Sequence, residues 1–148
     1  MSTDAIVDLK VISLEQYYRN RARALFGRYL RDVRVIDWVD LEDSLEAVAP
    51  LTEKEREELS VVDLFAQGRR KTDGQETVLV IEISWTLASS DVERAVQRAE
   101  ILIRRGIAAV AAVAGREIDD GTREAARLAG CAIVMDGRFE FDQPLREA

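Results

Sequence analysis

Two acidic residues stand inside apolar runs, and these are the positions where chemistry could occur. Asp63 lies in the run Ser60 to Ala66, and Glu82 lies in the run Thr77 to Trp85. Side chains alternate along a strand, so Val78, Val80, Glu82 and Ser84 share one face while Leu79, Ile81, Ile83 and Trp85 share the other. Burying an unpaired carboxylate there would cost several kcal/mol. A cation, a metal ion or an added proton must offset that. Between the two runs lies a polar loop, Gly68 to Gln75, containing the turn dipeptide Asp73-Gly74. A hairpin folded there pairs residues whose numbers have a constant sum, near 147 or 145 depending on the turn. Asp63 then falls opposite Glu82 or Ser84. Two neighbouring buried acids cannot both ionise without positive charge between them. A divalent ion held by both carboxylates and a backbone carbonyl would supply it, and such a site suits Mg²⁺. An arginine from the following helix would do so equally.

Other chemistries are excluded by composition. The chain has no histidine, which removes Ser-His-Asp and Cys-His catalysis and the usual Cys/His zinc sites. Its single cysteine, Cys131, sits in the apolar run Cys131 to Met135 and reads as a buried, inert thiol. Ser84 has no base to activate it as a nucleophile. Met1 to Lys10 lacks the basic start and apolar run of a signal peptide. The longest apolar stretch, Ile107 to Ala114, is far short of the roughly 20 residues that span a bilayer. A cytoplasmic protein without a membrane partner is expected.

The elements that must position the acids follow from periodicity. Ser13 with Gln16 suggests a capping box opening an amphipathic helix from Leu14 to Arg31. Val33 to Ile36 reads as a short strand. Asp40 or Asp43 would cap a helix ended by Pro50, and Thr52 with Glu55 opens an acidic helix to about Leu59. Ser60 to Ala66 and Thr77 to Trp85 form the hairpin. Ser90 or Asp91 caps a helix from Val92 to Arg105, stopped by Gly106. Ile107 to Val113 is a buried strand, Asp119 to Leu128 a helix ended by Gly130, and Cys131 to Met135 the last strand. The tail after Gly137 is an edge strand or coil. Strand-helix-strand-helix-strand after Thr77 implies parallel pairing, and the hairpin adds an antiparallel pair. The expected fold is one α/β domain of 148 residues, core about 13 to 136, with a mixed sheet flanked by helices.

An acid on one strand, a hairpin's gap, then an acid two residues before a polar residue and a helix resembles the PD-(D/E)XK nuclease superfamily. Asp63, Glu82-Ile83-Ser84 and the helix Asp91 to Ala99 carry the likeness. The chain is similar to an uncharacterised bacterial subgroup with Glu-Ile/Val-Ser-Trp and Asp-Val-Glu-Arg-Ala. The resemblance implies a restriction-endonuclease-like fold and phosphodiester hydrolysis on DNA. It also implies Mg²⁺ or Mn²⁺ held by Asp63, Glu82 and the carbonyl of Ile83. The motif lysine is Ser84 here, and serine carries no positive charge. Arg94, Gln97 or Arg98 on the helix, or Lys71 on the loop, could take its place, with Arg94 favoured as nearer the strand. Many nucleases of this fold dimerise, and Trp38, Trp85, Phe139 and Phe141 offer apolar material for a homodimer.

Charge is unevenly distributed. The net charge is −7, yet Ser13 to Arg34 carries +4 and Val35 to Glu58 carries −7. A basic first helix could face phosphates, with Arg19, Arg23, Lys71, Gln97 and Arg98 as candidate nucleic-acid contacts. It could equally be a solvated face. Two readings stand: a metal-dependent nuclease, and a catalytically inactive, nuclease-derived binding or assembly domain with Asp63 and Glu82 in a buried salt-bridge network.

Overall fold

A computed structural model describes the backbone of residues 3–147 and the side chains of residues 13–147. Six strands form one mixed sheet: β1 (Leu30–Ile36), β2 (Leu64–Arg70), β3 (Glu76–Ile83), β4 (Ala109–Gly115), β5 (Ala132–Met135) and β6 (Arg138–Phe141). They lie side by side in chain order. β1, β2 and β3 are antiparallel neighbours, β3, β4 and β5 run parallel, and β6 returns antiparallel as an edge. The short segments Thr86–Leu87 and Glu117–Ile118 pair in parallel just beyond the ends of β3 and β4.

Helices cover both faces. On one face lie α1 (Thr3–Phe26) and α6 (Gln143–Arg146), packed over Leu79, Ile81, Ile83, Ala112 and Val134. On the other lie α2 (Trp38–Glu46), α3 (Glu53–Ser60), α4 (Ser89–Arg104) and α5 (Asp120–Ala129), packed over Val78, Val80, Val113 and Ile133. The expected alternation along β3 therefore holds, and β3 is buried on both faces as a central strand must be. Among the described residues, no helix is long and apolar enough to cross a membrane.

Several boundaries differ from the sequence-based expectation. Ser13 does not cap α1; it lies within a helix that starts at Thr3, because nothing upstream of it breaks a helix. The signal-peptide reading of Met1 to Lys10 falls where side chains are outside the described residues. α1 ends at Phe26 rather than Arg31, and Leu30 to Asp32 extend β1 instead. Asp37, not Asp40 or Asp43, is the N-cap of α2. Ser60 closes α3, and β2 begins only at Leu64 but runs on through Gly68 to Arg70. The capping box Thr52–Glu55 forms as expected, with each side chain bonding the other's backbone N–H. α4 opens at Ser89, where Asp91 accepts from the Ala88 N–H at 2.8 Å. Trp38, Trp85, Phe139 and Phe141 all pack against the two cores. Cys131 is buried, and burial pushes its thiol up to about 12, so it stays protonated.

Candidate functional site

The hairpin register brings the two acids together. Leu64 pairs with Ile81 and Arg69 with Glu76, a sum of 145 throughout, so the ladder extended by one residue sets Asp63 opposite Glu82 rather than Ser84. Each acid binds the other's backbone. The Asp63 N–H donates to Glu82 Oε2 at 3.2 Å, and the Ile83 N–H donates to Asp63 Oδ2 at 2.7 Å. Glu82 is 3% exposed and projects toward α4.

The positive charge comes from α4. Arg98, itself 7% exposed, donates from Nη1 to Glu82 Oε1 at 2.5 Å and from Nε to Glu58 Oε2 on α3 at 3.2 Å. Arg94, the expected partner as the arginine nearer the strand, is held instead by Asp91, with Nη2 donating to Oδ1 at 2.5 Å. Its Nε is 3.6 Å from Glu82 Oε1, and its side chain is 43% exposed. Asp91, fixed by the Ala88 N–H, thus claims Arg94 and leaves the buried acid to Arg98 one turn on. Arg98, expected at a nucleic-acid surface, lies instead in the interior. Gln97 is exposed on α4. Ser84 is half-buried, and its Oγ donates to the Thr86 carbonyl at 3.0 Å.

Burial drives the titration of this cluster. It raises Glu82 to about 7; Asp63 adds to the rise, while Arg98, the Asp63 N–H and Arg94 oppose it. Asp63 is also raised, first by burial, against the Ile83 N–H and Arg98. Glu15 of α1 is raised by burial and then by Asp63, with Arg19 opposing. Glu15, Glu58 and Asp91 all escaped the sequence reading as site members. Asp91 carried a signal as a helix-cap residue; Glu58 and Glu15 carried none, because only tertiary packing brings them near.

Both oxygens of Glu82 already accept hydrogen bonds, one of them from a guanidinium, and Asp63 Oδ2 is taken by the Ile83 N–H. Among the described residues, no group of three or more His, Cys, Asp or Glu could hold a metal ion. A divalent ion at this pair would have to displace Arg98, so the donor set does not fit one as it stands. Arginine remains protonated and cannot serve as a general base. The arrangement can hold charge and couple two strands to a helix.

A second cluster lies along α1. Arg19 and Arg23 are four residues apart, share one face and are exposed. Arg23 Nε donates to the Val33 carbonyl at 3.2 Å, which turns this face toward β1. Beyond it, Arg23, Gly27, Leu30, Arg31, Asp32, Val33 and Lys71 line an open hollow of about 520 Å³. Among the described residues lining it the single carboxylate, Asp32, is already bound to Arg69, and Lys71 Nζ donates to the Arg28 carbonyl at 2.8 Å. Arg31, which the sequence reading did not single out, completes this basic surface.

No family model matches the chain, and no curated protein or solved structure matches it.

Proposed function

We propose that this chain is a restriction-endonuclease-like domain that binds nucleic acid through its α1 face and does not cleave it. The observation that carries the non-catalytic half is the Arg98 guanidinium seated on Glu82 at 2.5 Å. It places a fixed positive charge where a nuclease of this kind would use a lysine and a metal ion. The order of hairpin, helix, strand, helix and strand supports the fold assignment, as does the acid pair at the carboxyl end of β3. The binding half is supported by Arg19, Arg23, Arg31 and Lys71. Arg23, Arg31 and Lys71 line the hollow with one described carboxylate, Asp32, already paired with Arg69, and Arg19 lies one turn before Arg23 on the same face. From Arg19 to Gly27 at the hollow, α1 advances roughly 12 Å at 1.5 Å per residue. That is enough for about three phosphates of one strand spaced 3.4 Å along a duplex axis.

Fluorescence anisotropy with labelled DNA and RNA at low salt tests the binding half. Binding that weakens steeply with salt is expected, and its absence at low salt would refute it. Incubation with Mg²⁺ or Mn²⁺ tests the other half. No cleavage is expected; metal-dependent cleavage abolished by Asp63→Asn would restore the nuclease reading.

A further inference from the structure

Two arginines face each other across the outer ladder of the sheet. β1 is an edge strand, and its Arg31 pairs directly with Arg69 of β2. Like charges set opposite each other on adjacent strands repel, unless an anion lies with them. A bulge between Arg31 and Arg34 brings one in. Asp32, within the bulge, takes the left-handed conformation with φ +54, which a short polar side chain tolerates. Its carboxylate ion-pairs with Arg69. Arg34 Nη1 donates to the Asp32 carbonyl at 3.2 Å. Arg69 first, then Arg34 and Arg31, hold the Asp32 carboxyl below the usual carboxylate range, so three guanidiniums act on it.

Close packing fixes this bulge. A Cβ on Gly68 would come within 2.9 Å of Leu30 Cβ and 3.1 Å of the Arg31 carbonyl oxygen, so glycine lets β1 approach β2 here. A second carboxylate, Glu76 of β3, lies opposite Arg69 in the next ladder. It is 3.4 Å from Arg34 and accepts from Gln67 at 2.9 Å. Among the described residues, three arginines thus meet two carboxylates. Arg31 and Asp32 also line the hollow with Arg23 and Lys71, so the site continues the basic surface.

The Asp32 and Arg69 side chains are 65% and 47% exposed. An ion pair so open to water is weak, and an incoming anion can exchange with it. A phosphodiester is suited to do so, because its two free oxygens match the fork of a guanidinium. Each phosphate neutralised on a nucleic acid also releases condensed counterions, a gain that a lone carboxylate does not offer. We infer that Arg31 and Arg69 form a phosphate subsite, which Asp32 fills in the free protein and a nucleic-acid phosphate takes over on binding. This rests on the nucleic-acid reading above. It makes Arg69 a further contact and Asp32 a built-in competitor that restrains the affinity of the surface.

The test compares Asp32→Asn with the wild type by anisotropy of a labelled DNA duplex over a range of salt. Asparagine keeps the size and tolerates the positive φ. Binding at low salt is expected to tighten by about threefold or more, the order of one exposed charge contact. The salt slope of log K is expected to steepen by about 1, one further phosphate. Asp32→Gly, which also suits the positive φ, should repeat the gain. Glu93→Gln removes the same charge from an exposed position on α4 and should not. Asp32→Asn combined with Arg69→Gln should lose the gain. Equal affinity and slope in Asp32→Asn, Glu93→Gln and wild type overturn the subsite and leave the basic surface intact. A gain that persists without Arg69 overturns the exchange of carboxylate for phosphate. Failure of both wild type and Asp32→Asn to bind at low salt overturns the nucleic-acid reading itself.

Discussion

Arg98 is one cation answering two acids, Glu82 and Glu58, and its removal isolates a carboxylate that is 3% exposed. Arg98→Met should destabilise the domain by about 3 kcal/mol, as breaking a buried pair does. The loss should be smaller at pH 5 than at pH 8, because Glu82 can take up a proton when its partner is gone. Denaturation in urea at both pH values checks this. A second expectation follows from the raised value of Glu82. Its carboxyl is near 4.5 when unfolded and about 7 when folded, so between those limits the folded state holds more protons. Stability is therefore full below the unfolded value and declines as pH rises from about 4.5 to about 7, by about 3 kcal/mol in order of magnitude. Glu82→Gln should flatten that slope; an unchanged slope would assign the titration elsewhere. At this scale the acid pair was legible, because alternation along β3 and a turn at Asp73-Gly74 leave few registers. The choice of arginine was not. Arg94 and Arg98 share a face of α4, and Asp91 decides between them by a bond that spacing alone does not reveal.

At the scale of elements, β3 and β4 approach so closely at their carboxyl ends that Gly115 has no room for a side chain. A Cβ there would come within 2.4 Å of the Ser84 carbonyl oxygen, and backbone cannot step aside cheaply. Gly115→Ala should cost about 2 kcal/mol, in the range of overpacking, and should disturb the loop carrying Trp85. Thermal melting with near-ultraviolet circular dichroism measures both effects. Helices and strands with strong periodicity, such as α4, α5 and β3, were legible because one pattern dominates each. The start of β2 was not. Ser60 to Val62 have strand-like composition, yet the Thr52–Glu55 capping box propagates a helix to Ser60 and leaves the ladder to begin at Leu64. Composition there yields to a helix already nucleated.

Across the whole molecule, charge is sorted by face rather than averaged. The acids of α2 and α3 cover the α4 side, while the arginines of α1 lie on the other. A protein of net charge −7 can therefore present a local cationic surface, and its association should be dominated by that surface at low salt. Replacing Arg19 and Arg23 with glutamine should lower the salt slope of duplex binding by about 2, one phosphate each. The mixed sheet with helices on both faces was legible from element order. The pairing of Thr86–Leu87 with Glu117–Ile118 and the helix α6 were not, being two and four residues long and too short to leave a periodic signal. The reciprocal bonds between Asp63 and Glu82 have one consequence beyond stability. The Ile83 amide hydrogen is held by a carboxylate instead of a carbonyl. Its exchange with solvent deuterium should be slow while Asp63 is ionised and should quicken by more than its neighbours' when acid discharges that group. Deuterium exchange of this one backbone proton would then report on the charge of a buried acid without any label or substitution.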